Sequence, residues 1–304
     1  LLEPDATSGF TIGCIIVKEM TMQSTSAPKP SAWMTATLRA AHQLFDEPLI
    51  LRDSVALRIL GADAEARLRA DGERQRHPLS VAMRTTMAVR ARLAEDSWYE
   101  AQRSAVDQYV ILGAGLDTYA YRADCAPSAR LFEVDLPAMQ QWKRDCLRAA
   151  DIGEPGALHY VATDFENDTL SADLQQAGLA DDKPACHSWL GVTMYLRPDQ
   201  VMHTLQDIAN CAPGSSIVFD YRVHDGQLTD AERAGLQVVT TALAAQSEHL
   251  LSSFDPQKLE HMLRRFGYSQ VEHFGPKELT ERYLACHNNG QRLSGIFRMI
   301  RATV

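Results

Sequence analysis

From residue 108 onward, short apolar runs alternate with stretches of helical texture, and this alternation constrains the fold more than any other feature. Strands separated by crossover helices assemble into a mostly parallel sheet with helices on both faces. The candidate strands are 109–112, 130–134, 158–162, 185–192 and 215–221. Two more, 269–274 and 295–302, follow a longer helical interval. Ahead of them, residues 33–103 are dominated by Ala, Leu, Arg and Met, with breaks at Asp46-Glu47-Pro48, Gly61 and His77-Pro78. Within that region Val81, Met87, Val89 and Leu93 recur at helical intervals. The expectation is an α/β fold: a Rossmann-like, doubly wound, mostly parallel seven-stranded sheet. A helical cap covers 31–105, the core covers 106–304, and a helical insertion at about 223–252 precedes the last two strands.

Two helices of the later interval carry their own punctuation. Thr229 and Glu232 have the spacing of a capping box, opening a helix expected to run to about His249. Asp255 is placed to cap a second helix with Pro256 at its first position; Leu259, Met262, Leu263 and Phe266 form its apolar stripe and Gly267 its stop. The first of these helices falls where an insertion roofs a substrate pocket, or simply packs on the sheet.

Bulk properties narrow the partners. A net charge of −9 weighs against a general nucleic-acid or anionic-membrane binder. The six cysteines, Cys14, Cys125, Cys146, Cys186, Cys211 and Cys286, are scattered with no C-x-x-C pair, so neither a zinc nor a redox motif is indicated. Such scatter suits a reducing, cytoplasmic setting. The apolar run 9–17 is too short to span a bilayer and follows Glu3 and Asp5 rather than basic residues. Residues 1–30 are expected to be an N-terminal extension with little defined fold.

The chemistry is carried at strand ends. A buried strand runs directly into Gly113-Ala114-Gly115 and on to Leu116-Asp117-Thr118. Small residues there let backbone approach a ligand, and a following helix would offer its positive N-terminus. Alone, this is also the pattern of a tight strand-to-helix turn with no ligand. About twenty residues on, the next strand ends in Glu133-Val134-Asp135. A carboxylate at that place accepts from both ribose hydroxyls of an adenosine-bearing cofactor, Asp135 being the first choice and Glu133 the second. Asp135 also reads as a helix N-cap before Leu136-Pro137. The third strand ends at Asp164-Phe165, an acceptor for an exocyclic amino group beside an apolar face for a purine; a loop Asp and a core Phe are the plainer alternative.

A pyrophosphate-bearing dinucleotide calls for a third Gly, and Thr118 stands there instead. S-adenosyl-L-methionine (SAM) needs no phosphate site, only a partner for its carboxylate. Arg84, Arg90 and Arg92 on the preceding helix are the candidates. These segments resemble the leucine carboxyl methyltransferase-like family of class I SAM-dependent enzymes. The resemblance rests on Arg90-Ala-Arg-Leu-Ala-Glu-Asp96, Val110-Ile-Leu-Gly-Ala-Gly-Leu-Asp-Thr-Tyr-Ala-Tyr-Arg122, Phe132-Glu-Val-Asp-Leu-Pro137, Asp164-Phe165 and Trp189-Leu-Gly-Val-Thr-Met-Tyr-Leu196, within a span from about residue 31 to the end. It implies Arg90 on the SAM carboxylate and Gly113 and Gly115 along its amino-acid portion. It also implies Asp135 on the ribose, and Asp164 and Phe165 at the adenine. Ala114 and Asp117 belong to the same turn. The phosphatase-directed members carry a Glu at the position of Leu190 and a Lys in the first helix that has no clear counterpart here, so the chain looks more like the bacterial small-molecule branch.

The activity so implied is methyl transfer to an oxygen, a carboxylate before a phenol. A carboxylate is already ionised and requires no base, whereas a phenol needs one. Tyr195 is the favoured substrate-facing group, with His187 and His224 as further candidates, and Arg122 is expected in an internal ion pair. The competing readings are an NAD(P)-dependent oxidoreductase on a Rossmann sheet and a SAM-binding protein that turns nothing over.

Overall fold

The computed structural model describes residues 29–122, 129–166, 170–286 and 293–304. The expected N-terminal extension up to residue 28, with Cys14, and also Cys125, lie outside them. Seven strands form one sheet: β1 (Gln108–Leu112), β2 (Arg130–Asp135), β3 (Leu158–Ala162), β4 (Ala185–Trp189), β5 (Ser216–Arg222), β6 (Gln270–Phe274) and β7 (Phe297–Thr303). Their order is β3-β2-β1-β4-β5-β7-β6. The first five pair in parallel, and β7 runs antiparallel to both β5 and β6. The chain therefore winds outward from β1 in one direction and from β4 in the other, so the β1–β4 boundary is a topological switch point.

All seven strands fall where the apolar runs stand, with most ends within a residue of expectation, the last starting at Phe297 rather than 295, and the largest change in the fourth. The fourth stops at Trp189 rather than 192, because Gly191 takes φ +70 and a 3-10 turn, Thr193–Tyr195, follows. Successive β1 side chains divide between two cores. Val110 and Leu112 pack with Phe132, Phe219 and Leu263, while Tyr109 and Ile111 pack beneath Trp98, whose ring stacks on Tyr109 at 4.9 Å.

Ahead of β1 stand α1 (Pro30–Phe45), α2 (Ala56–Leu60), α3 (Ala62–Ala70), α4 (Gly72–Gln75) and α5 (Pro78–Arg103). The helix α5 lays Ala88, Val89, Leu93 and Ala94 against the sheet. The core helices are α6 (Pro137–Ala149), α7 (Leu170–Gln176), α8 (Pro198–Ala209), α9 (Asp230–Ala244), α10 (Pro256–Phe266) and α11 (Pro276–Tyr283).

The capping signals act as written: Thr229 and Glu232 form a reciprocal box, and Asp255 accepts from the N–H groups of Gln257 and Lys258. The helix α9 ends at Ala244, short of His249, where the chain folds back and the Leu251 N–H reaches the Met194 carbonyl at 2.7 Å. No described helix is long and apolar enough to cross a membrane.

Candidate functional site

A cavity of about 680 Å³ opens over the C-terminal tips of β1 and β4, at the switch point. Its floor is the glycine turn. Gly113 adopts φ +66, and a Cβ there would lie 2.3 Å from Val192 Cγ2, so the position is reserved for the chain that leaves β4. The turn differs from expectation in two respects. Its N–H groups are already used: Gly113 and Ala114 donate to the Val134 carbonyl at 2.8 and 3.1 Å, and Gly115 donates to Asp135 Oδ2 at 2.7 Å. A 3-10 turn, Tyr119–Tyr121, follows, and among the described residues no α-helix begins there to offer its N-terminus. The turn is thus shaped by β2 and supplies surface rather than free donors.

Asp135 spans two N–H groups, with Oδ1 accepting from Leu136 at 2.8 Å. It does not cap α6, whose N-cap is Leu136. Burial pushes its pKa up, opposed by those two N–H groups. Glu133, two residues deeper, is 1 % exposed, ion-paired to Lys143 at 2.6 Å and outside the cavity wall. Burial lifts its carboxyl to about 7. Of the two carboxylates, Asp135 lines the cavity and Glu133 does not.

Of the three arginines on α5, Arg84 is committed to Asp46 and Arg92 to Asp96, each at 2.8 Å. Arg90 lines the cavity and pairs with Asp220 of β5 at 2.9 Å. Asp220 also accepts from the Gly191 N–H at 2.7 Å. A Cβ at residue 191 would stand 2.9 Å from the Arg90 guanidinium, so this glycine makes room for it.

Asp164, Phe165, Asp117 and Leu190 also line the cavity. Asp164 accepts from the Glu166 N–H at 3.0 Å, and the Phe165 ring lies 5.7 Å from Trp189. Asp117 accepts from the Tyr119 N–H and from Arg39 of α1 at 3.2 Å. Arg39 continues to Asp53, and Thr118, at the third-glycine position, is buried against both. Arg122 makes the expected internal ion pair, with Glu95.

Tyr195 reaches the wall between floor and roof, with its hydroxyl beside Ser31; burial and the Glu248 charge raise its pKa. The two histidines do not reach the cavity. His187 is buried with its ring against the Ser216 carbonyl, and burial lowers its pKa to about 4; His224 accepts from the Gly226 N–H.

Charged wall residues that the sequence reading did not single out include Asp220, Arg39, Glu95 and Glu248. Asp220 sits at the end of a recognised strand, so the strand-tip rule applied to β3 would have found it. Arg39, Glu95 and Glu248 carry no such local mark.

A crevice at the switch point of a seven-stranded, mostly parallel sheet is where a Rossmann-like α/β protein holds its ligands. Two solved structures share the fold. A "putative methyltransferase" from Thermobifida fusca superposes with a TM-score of 0.54 over 92 % of this chain and 96 % of that one, at 16 % identity. A DUF574 family protein from Streptomyces avermitilis superposes with a TM-score of 0.54 over 81 % and 94 %, at 15 % identity.

The chain belongs to the leucine carboxyl methyltransferase family, whose model matches residues 32–209. It is 31 % identical to the Bacillus subtilis "Putative S-adenosyl-L-methionine-dependent methyltransferase YktD" over 83 % of this chain and 90 % of that protein. A Mycolicibacterium paratuberculosis protein of the same description is 33 % identical over 67 % and 70 %.

Proposed function

We propose that this chain is a SAM-dependent methyltransferase that transfers a methyl group to an oxygen atom of a small, largely apolar molecule. One observation carries the reading: Asp135 of β2, Asp164 just past β3, Arg90 of α5 and Asp220 of β5 all line one cavity at the switch point. The set suits SAM. Asp135 retains acceptor capacity for ribose hydroxyls, Asp164 and Phe165 flank the place for an adenine, and the Arg90–Asp220 pair opposes a guanidinium and a carboxylate to a zwitterionic amino-acid end. Thr118, locked between Asp53 and Arg39, leaves no close backbone approach where a pyrophosphate would require one. Bound there, SAM supplies a methyl group already activated on a sulfonium. The protein's part is to align the acceptor and exclude water.

Calorimetry with SAM and S-adenosylhomocysteine tests the cofactor, and labelled methyl transfer into small acids and phenols tests the acceptor atom. Millimolar concentrations of both nucleosides without a binding heat would end this reading.

A further inference from the structure

The part of the cavity remote from the strand tips is walled by Met34 of α1, Met83 and Met87 of α5, Val239 and Leu243 of α9, and Leu250. Set into this apolar wall is Glu248, only 8 % exposed. Its carboxylate takes two neutral donors from one residue, the Ser31 N–H at 3.2 Å and the Ser31 hydroxyl at 2.9 Å. Among the described residues no cation forms an ion pair with it. Tyr195 stands beside the same Ser31. A buried carboxylate held only by neutral groups keeps spare lone pairs with which to accept from a hydroxyl brought beside it.

The charge of the surrounding wall points the same way. Eight carboxyl side chains line the cavity against three basic ones, Lys29, Arg39 and Arg90. Arg39 and Arg90 are already engaged by Asp53, Asp117 and Asp220. An ionised carboxylate acceptor would enter against this field and find no free guanidinium in the apolar part; an uncharged acceptor meets neither cost.

We propose that this chamber binds an apolar aromatic compound bearing an un-ionised hydroxyl, a phenol, and that Glu248 takes the hydroxyl proton during transfer. The proposal rests on the methyltransferase reading above. In the step, the phenol O–H bond breaks as its proton passes to the Glu248 carboxylate. The oxygen forms a bond to the methyl carbon, and the carbon–sulfur bond breaks with its electron pair left on sulfur, giving S-adenosylhomocysteine. A phenol, with a pKa of about 10, is within reach of such assistance, whereas an aliphatic alcohol holds its proton far more tightly. Tyr195 beside Ser31 feels the charges of Glu248 and, from the floor, of Arg90 and Asp220, and Lys29 and Glu232 line the same cavity.

The test uses the intact chain with 1-naphthol and 1-naphthoic acid, alike in shape and different in charge, at the head of matched panels of phenols and acids. Calorimetry on the complex with S-adenosylhomocysteine should find naphthol bound at least about tenfold more tightly than naphthoate. Labelled SAM should methylate phenols and leave the acids. Glu248→Gln should lower kcat for naphthol by about a hundredfold, hold the S-adenosylhomocysteine Kd within about threefold, and remove the acidic limb of the pH–rate profile. Ser31→Ala keeps the carboxylate and should cost less. Should Glu248→Gln fail to fold, the naphthol-over-naphthoate preference of the unaltered chain still decides the matter. Turnover of acids alone, turnover of neither panel while S-adenosylhomocysteine binds, or a Glu248→Gln variant with the original kcat and pH profile overturns the proposal and leaves the cofactor site standing. Absence of S-adenosylhomocysteine binding removes both.

Discussion

Floor and roof of this cavity are built on opposite principles. The floor is the set of strand tips, where each polar group has a fixed partner: the turn amides on the Val134 carbonyl and Asp135, and Asp220 on Gly191 and Arg90. The roof is α1, α5 and α9 with the chain that follows, walled by methionine and aliphatic side chains around a single buried carboxylate. A preorganised polar floor recognises one invariant molecule by geometry. An apolar roof of flexible thioethers accepts a range of shapes and leaves selectivity to few polar points. Under the proposed function, the difference separates cofactor binding from acceptor choice within one wall.

The strongest way to break this contrast is to strain the floor. Gly113→Ala combines a left-handed backbone with a Cβ driven into Val192, and should cost roughly 3 kcal/mol, read as a fall in Tm of about 5–10 °C. An unchanged Tm would mean that the turn is looser than its hydrogen bonds imply.

The roof should respond differently. Val239→Trp fills the apolar chamber and is expected to cut methyl transfer about a hundredfold while the SAM Kd stays within about threefold. If SAM affinity fell as far as turnover, the two halves would not be separable.

Next in size, Arg90→Ala and Asp135→Ala should each weaken SAM binding by at least about tenfold in calorimetry, with the far-UV circular dichroism of the parent retained. Unaltered affinity in both would place the cofactor elsewhere.

The smallest effect is a pH slope. Burial lifts Glu95, on the floor side, from 4.5 to about 7. The folded chain then holds a proton that the unfolded chain releases. That contribution to stability is fully present below about 4.5 and is lost as pH climbs through 7. Tm should therefore decline across this window, and Glu95→Gln should flatten the decline. An identical slope in the variant would assign the titration to another group, Glu133 being the first to examine.

Local order was legible because it is locally caused. The seven strands, the capping box at Thr229 and the Asp255–Pro256 start and Gly267 stop of α10 all follow from residues within one or two turns of each other. Strand tips were legible as well, since a parallel sheet brings its C-terminal ends to one edge whatever the crossovers do. The helix expected after the glycine turn was not found among the described residues, because G-x-G after a strand records only that the chain must bend. What consumes its amides is β2, a partner twenty residues away. The extra residues assigned to the fourth strand failed at Gly191 for a comparable reason: the backbone there yields to Arg90, which comes from α5.

The amino-acid order by itself determined the α/β alternation, the tips that face the crevice and the family to which they belong, since periodicity, caps and short motifs act over a few residues. Only the tertiary structure decided which of three arginines on α5 meets the cavity, that Asp220 answers it, and that Glu248 stands beside Ser31 across 217 residues of chain. Those pairings depend on how whole elements pack, and burial and charge at such contacts are properties of the assembled surface rather than of any neighbouring residues in the chain.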